Sequence, residues 1–479
     1  MKKSLKANAV LSMLKTIMSL ITPIITFPYV SRILQVEALG KYNFSLSIVS
    51  YFILLAELGI NTYAIREGAK IRNNRDEFEN FANEITSINI FSMIISYFLL
   101  FLFVISLDKI SNYALLIFIL SIQIALNTFG RTWIYNVYED FIILTITQCA
   151  MQIFSVILLF LFVHSPQDIY IYAMIYIISS AFANLFFGIY SKKYVKFRLR
   201  ISINILKKHI SPVLIIFCTT LASTLYVNSD VTLLGWLIND ECVGLYSTAV
   251  KIYSIVKQVI IALITVAIPR LTLYTGTEEF KTLFEKVFRV LISFIFPAMV
   301  GLFMMSKETI LIIAGPEYLG ATISLQILSI SLLFSLLACL FGTGVLIPYN
   351  EEKYFLKATL ISAFINVILN LFLIPMFKQD AAAFTTLIAE IVIFFLCLLQ
   401  SKKYIGKISI KSMYPIFMGC ISIVVYCMIV KFFKFSLVYE VCFCVLGSLI
   451  LYSIVQILFK NEQYIFIISW TINMVKKLF

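Results

Sequence analysis

The sequence predicts an all-α polytopic membrane protein of about fourteen transmembrane helices, in two pseudo-repeated six-helix lobes plus two C-terminal helices. Three observations lead there. Hydrophobic residues fill 61% of the 479 positions and charged residues only 13%, far more apolar surface than a water-soluble core can use. Apolar stretches of roughly 20–27 residues, the length a bilayer demands, recur along the whole chain. One short phrase also occurs in each half. Glu37-Ala38-Leu39-Gly40-Lys41-Tyr42 and Glu241-Cys242-Val243-Gly244-Leu245-Tyr246 both read E-x-x-G-x-Y, 204 residues apart, each between two long apolar segments. A duplicated hairpin in such a chain points to a transporter of two related halves with its site between them.

The spans are expected near 8–34, 40–64, 81–107, 110–136, 140–163, 167–191, 210–237, 242–268, 281–305, 320–347, 354–376, 380–400, 412–433 and 437–459. The first follows a basic start that resembles a signal-peptide flank. It carries Lys15 and two prolines and lacks a small-residue cleavage site, so a retained span is expected. Around Gly315-Pro316 a short re-entrant or loop segment joins two spans. Residues 1–190 form the first lobe, 191–209 a basic linker, 210–400 the second lobe, 401–459 the last two spans, and 460–479 an amphipathic tail on the inner surface.

Lysine and arginine orient the stack. Alternate loops hold most of them, including Arg66, Lys70, Arg72, Arg75, the run from Lys192 to Lys208, Lys402 and Lys403. The intervening loops hold few. Positive-inside asymmetry therefore puts both termini in the cytoplasm. The net charge of +13 is scattered through short loops, which excludes a nucleic-acid partner. The cysteines lie mostly inside apolar spans and suit small core hydrophobes. With only His164 and His209 as imidazoles, a histidine-built metal or catalytic site is not expected. No phosphate loop, zinc spacing or large soluble domain is present, so an enzyme is not expected.

Polar stripes mark the four spans that flank the repeat. Ser12, Lys15, Ser19, Thr22 and Thr26 share a face of span one. Asn43, Ser47, Ser50, Glu57 and Asn61 share one on span two. Thr219, Ser223, Tyr226 and Asp230 do so on span seven, and Ser247, Lys251, Ser254 and Gln258 on span eight. Such stripes line a cavity or serve as interhelical contacts. Ionisable groups inside a span are costly unless paired or hydrated. Lys15 with Glu57, and Asp230 with Lys251, lie at matching depths. They form ion pairs that either reorganise during transport or stay static. Lys257 and Glu390 form a third such pair near mid-depth, within the second half. Arg131 is expected to snorkel at the inner end of span four. In the repeat, Gly suits a close backbone approach, Tyr the membrane interface, and Glu the N-terminus of the following helix.

Several runs carry a family resemblance. Pro28-Tyr29-Val30-Ser31-Arg32-Ile33-Leu34 followed by Gly40-Lys41-Tyr42-Asn43-Phe44, and Asp230-Val231-Thr232-Leu233-Leu234-Gly235 followed by Gly244-Leu245-Tyr246 and Ala249-Val250-Lys251, resemble the bacterial O-unit flippases. These are the Wzx-type polysaccharide transporters of the multidrug/oligosaccharidyl-lipid/polysaccharide (MOP) superfamily. One departure is Gln35, where that family often has Gly. The resemblance implies a MOP/MATE-like fold in the inner membrane. It also implies translocation of an undecaprenyl-diphosphate-linked oligosaccharide to the outer leaflet by alternating access. Lys15, Lys251 and Arg32 are then candidates for the diphosphate or acidic sugars. Asn43, Ser47, Ser223, Ser254 and Gln258 are candidates for sugar hydroxyls, and Glu57, Asp230, Lys257 and Glu390 for gating or ion coupling. No cofactor is expected beyond a proton or sodium gradient. The expected partners are the lipid-linked oligosaccharide, the bilayer, and the polymerase and chain-length proteins of the same route. The rival readings are a drug/cation antiporter of the same superfamily, a peptidoglycan-precursor flippase and a polysaccharide polymerase.

Overall fold

The computed structural model describes residues 5–200, 202–406, 413–461 and 464–465, with the side chains of 5–16 and 203–204 outside that description. Among the described residues the regular structure is helical throughout. The first helices are α1 (Leu5–Glu57), α2 (Ile60–Ile71), α3 (Arg75–Ser106), α4 (Asp108–Ser111), α5 (Ala114–Gly130), α6 (Thr132–Val137) and α7 (Phe141–Phe162). Then α8 (Ile169–Ile177) runs through a π-turn into α9 (Ala183–Tyr190), followed by α10 (Ile203–Leu237) and α11 (Asp240–Leu273). The rest are α12 (Glu278–Met304), α13 (Ser306–Ile313), α14 (Thr322–Phe341), α15 (Glu352–Ser401), α16 (Tyr414–Phe432) and α17 (Leu437–Leu458).

Among the described residues, eleven segments are long and apolar enough to cross a membrane, and Ala114–Gly130 is a shorter apolar helix. Two of the eleven are double. The α1 rod breaks at Gln35 (φ 62°, ψ 175°) and α15 at Lys378 (φ 53°, ψ −131°). Counting each broken rod as two spans, with the shorter helix added, recovers the fourteen spans expected from hydropathy. Large apolar side chains stand exposed along these helices, Phe98, Ile105, Ile146, Leu161, Phe372 and Leu446 among them. On a soluble protein that surface would aggregate; against acyl chains it is the favourable state.

The chain forms two compact units, Met1–Gly244 and Leu245–Phe479. This division by packing differs from the lobe boundary expected at 191–209 and keeps α10 with the first unit. In that unit a core gathers Ile60, Tyr63, Phe78, Phe81, Trp133, Val137, Val195 and Val213. The basic segment expected as a linker is bound to it. The Asn83 amide donates to Lys196 O at 3.2 Å and its Oδ1 accepts the Arg198 N–H at 2.9 Å, while the Arg200 N–H donates to Ser87 Oγ at 2.9 Å. Tyr194 is half-buried and donates to Asp140 at 2.5 Å. Desolvation, then the Asp140 carboxylate, push its phenol well above its ordinary range. Arg131 does not simply snorkel. It caps α5 in the left-handed region (φ 47°) and stacks its guanidinium 3.7 Å from the Phe197 ring centre.

In the second unit α14 packs on α15, whose two arms share the buried residues Ser362, Asn366, Asn370 and Thr385. Thr385 Oγ1 donates to Asn370 Oδ1 at 2.5 Å and Ser362 Oγ to Ala389 O at 2.7 Å. The pair α16–α17 seats on α12, where the Tyr452 hydroxyl donates to Ser293 O at 2.8 Å. The short segment expected at Gly315-Pro316 is α13 followed by a 3-10 turn, Pro316–Ala321, entered through Gly315 at φ 105°. The amphipathic tail expected at 460–479 lies almost entirely outside the described residues.

Gln35 holds a backbone conformation that is essentially reserved for glycine and costs about 1–3 kcal/mol in other residues. Gln35→Gly should therefore stabilise the detergent-solubilised protein by about 1 kcal/mol after the entropic cost of glycine, read as a higher thermal midpoint. A lowered midpoint would show that the side chain contributes more than the strain removes.

Candidate functional site

The two copies of the repeat pack against each other. The break at Gln35 starts a new helix at Val36, so Glu37 sits in its first turn, as Asp240 and Glu241 sit in the first turn of α11. A Cβ on Gly40 would stand 1.8 Å from the carbonyl oxygen of Asp240, and one on Gly244 would stand 2.1 Å from that of Val36. Each glycine thus lies on the carbonyl of the residue four places before the other glycine, a reciprocal contact of pseudo-twofold form. Around it, Lys109 Nζ donates to Trp236 O at 2.7 Å, and the Tyr113 hydroxyl donates to both oxygens of Asp240 at 2.9 and 3.0 Å. Lys41 stands 5.6 Å over the Tyr113 ring. Phe44 fills the groove at Gly235, where a Cβ would come within 2.2 Å. The motif tyrosines are not interface anchors. Tyr42 is buried against Tyr172 and Tyr176, at ring distances of 4.7 and 5.7 Å, and buried Tyr246 meets Thr386 at 3.1 Å.

Beside the turns, Ser47 of span two meets span seven at Thr232, a residue outside the stripe expected there. Thr232 Oγ1 lies 3.0 Å from Ser47 Oγ and 3.1 Å from the Tyr51 hydroxyl. Ser47 is 3% exposed and donates to Phe44 O, so its hydroxyl is already engaged. Asn43 is half-buried, while Arg32 and Ser223 are exposed. Asp230 is buried in α10 and already engaged. Glu57 accepts from the Asn127 amide at 3.0 Å, and Asn127 accepts from Asn184 at 2.9 Å. The side chain of Lys15, expected opposite Glu57, lies outside the described residues.

In the second unit the structure brings Lys257 and Glu390 together, Nζ to Oε1 at 3.3 Å. Lys257 also stands 5.4 Å over the Tyr253 ring, whose hydroxyl meets Ser335 at 2.9 Å. Lys251 and Ser254 are half-buried on the same helix and Gln258 is exposed. Next to Lys251, Ile252 opens a cavity of about 500 Å³ walled by α11, α12, α13, α16 and α17. Pro297, Leu302, Ile423, Cys427 and Leu449 make its lining largely apolar, and its Tyr452 hydroxyl is already satisfied by Ser293. A chain of methylenes or isoprene units fits such a wall; a free sugar does not.

Sequence reasoning missed Tyr113, Asn127, Asn184 and Asp240. Asn127 and Asn184 had a signal, being amides inside apolar spans. Tyr113 and Asp240 had none, because both sit at span ends where polar residues are ordinary.

The chain resembles known membrane proteins along most of its length. Residues 5–275 match the family described as "Polysaccharide biosynthesis protein". A protein of Escherichia coli (strain K12) named "Putative O-antigen transporter" is 24% identical over 397 residues, covering 81% of this chain and 94% of that one. Among solved structures, "Lipid II flippase MurJ, inward closed conformation" superposes with a TM-score of 0.74 at 15% identity, covering 94% of this chain and 98% of that one. An inward-facing multidrug resistance MATE family transporter of the MOP superfamily gives 0.62 at 13% identity, covering 81% and 94%.

Two predictions follow from these contacts. Gly40→Ala and Gly244→Ala each drive the repeat turns apart. One separation accommodates both methyls, so the double variant should lose less thermal stability than the two losses added; simple additivity would mean the contacts are independent. Lys257→Met or Glu390→Gln alone should cost about 3 kcal/mol by stranding a charge, and the double variant much less. Chemical unfolding in micelles reads both, and a double loss as large as the sum would mean the groups do not act as a pair. The fold shared with these solved structures, the apolar segments long enough to cross a membrane and the family match over residues 5–275 make this chain a multi-pass membrane protein that belongs to the polysaccharide biosynthesis protein family.

Proposed function

We propose that the protein is a flippase that carries an undecaprenyl-diphosphate-linked oligosaccharide from the cytoplasmic to the outer leaflet of the inner membrane by alternating access. The observation that carries this reading is the apolar cavity beside Lys251, on a chain of a polysaccharide family. A lipid-linked sugar has two incompatible parts. Its polyprenyl tail tolerates only apolar surroundings, whether acyl chains or an apolar wall, and its diphosphate needs cations. Lys251, Arg32 and Lys15 are assigned to the diphosphate or acidic sugars. Asn43, Ser223, Ser254 and Gln258 are assigned to sugar hydroxyls, with Ser47 joining them once it leaves Thr232. Glu57, Asp230, Lys257 and Glu390 serve gating or coupling to a proton or sodium gradient. The repeat turns then face outward and the basic segment 191–209 faces the cytoplasm, as the distribution of Lys and Arg supports.

The fold likeness to a lipid II flippase favours a second reading, in which the cargo is a peptidoglycan precursor. Deletion of the gene in its host separates the two. The expected result is loss of a surface polysaccharide, with complete lipid-linked repeat units trapped on the cytoplasmic face and peptidoglycan synthesis intact. Trapped peptidoglycan precursor would establish the second reading. Repeat units that cross but stay unpolymerised would overturn both in favour of a polymerase.

A further inference from the structure

His209 lies in the early turns of α10 and is 1% exposed. Its Nδ1 is 2.8 Å from the Tyr63 hydroxyl of α2, and its Nε2 is 2.8 Å from Glu84 Oε2 of α3. Glu84 Oε2 also accepts Lys208 Nζ at 2.9 Å. The rings of Tyr63 and Phe81 meet the imidazole edge-on, at 5.7 and 5.8 Å. A cavity of about 280 Å³ adjoins the cluster and is lined further by Glu67, Lys70, Glu77 and Asn80. We infer that Tyr63, His209 and Glu84 form a proton-binding site that clasps the start of α10 to α2 and α3 and tightens when it takes up a proton.

The geometry allows both charge states without rearrangement. A carboxylate only accepts, so Nε2 carries a hydrogen towards Glu84. Nδ1 is then free to accept from the Tyr63 hydroxyl or, as imidazolium, to donate to it, because a phenol does either. What changes is charge. Around the imidazole stand Arg66, Glu67, Lys70 and Tyr63 from α2, Glu77 and Glu84 from α3, and Lys208 from α10. Glu67 already pairs with Arg66 and Lys70, at 2.9 and 2.7 Å. Glu84 is thus left to face Lys208 and His209. A proton on His209 turns the Glu84 contact into a charge-assisted bond. The added hold is present when the imidazole carries the extra proton and absent when it is neutral. The cavity gives water a route to the site, on the face assigned above to the cytoplasm. The clasp needs no transported substrate, so its failure and the failure of the flippase reading are separate results.

The chain has only two histidines, so His164→Asn leaves His209 as the sole imidazole. Full-length His164→Asn protein with ¹⁵N-labelled histidine in lipid vesicles is measured by nitrogen NMR from about pH 5.5 to 8.5. The expected result is an Nε2–H tautomer at high pH that becomes imidazolium at low pH. A single unchanging form across the range would overturn the proposal. Hydrogen exchange of residues 205–216, corrected for intrinsic rates, should be roughly threefold slower at the acid end in the parent protein. That dependence should vanish in His209→Gln, which keeps a donor for Glu84 but takes no proton. Persistence of the dependence in His209→Gln would also overturn it. If that variant does not fold, the nitrogen titration alone decides.

Discussion

The reciprocal approach of Gly40 to Asp240 and of Gly244 to Val36 is the constraint on which the first unit depends. Lipid gives helices no hydrophobic reason to associate, so close backbone packing across small residues has to serve instead. With both glycines in place the two turns interlock. That contact sets the crossing of spans two and seven, and from it follow the Ser47–Thr232 contact, the seat of Phe44 at Gly235 and the reach of Tyr113 to Asp240. The break at Gln35 is part of the same device, because it creates the helix start that carries Gly40.

Charge in an apolar chain has to be answered locally, and the structure answers it in several ways. Lys257 meets Glu390, Lys431 meets Glu308 at 2.9 Å, and Arg289 meets Glu285 one turn away. Glu57 takes an amide in place of a cation. Arg131 uses an aromatic face. Each arrangement offsets a desolvation cost of several kcal/mol that an isolated ion in hydrocarbon would carry. A polar group satisfied within the protein takes a new partner only by giving up the old one, and Ser47 and Glu57 are both engaged in this way.

The apolar cavity of the second unit and the polar cluster of the first differ in kind. In the cavity Tyr452 and Ser293 are satisfied by neighbouring backbone, and Ser448 and Tyr464 meet the side chains of Cys427 and Ser453, which leaves a surface suited to hydrocarbon. At His209 most of the lining is ionisable or hydrogen-bonding, with only Ile71 and Phe81 apolar, and water has access. Burial decides the chemistry in both: packing removes alternatives in the first and holds them open in the second.

The sequence by itself determined the spans, their number and the duplicated turn, because bilayer thickness fixes helix length and helical periodicity fixes which residues share a face. It also made the Lys257–Glu390 pairing legible, since two opposite charges at equal depth in one half have few other partners. Tertiary structure alone decided which faces meet. Nothing in E-x-x-G-x-Y says that its two copies pack on each other, that Tyr42 and Tyr246 turn inward, or that the basic segment lies along α3 through Asn83 and Ser87. Nor does a histidine at a span end announce a tyrosine 146 residues and a glutamate 125 residues before it. Depth and facing are local properties of a helix, whereas partner choice depends on how every other helix is placed.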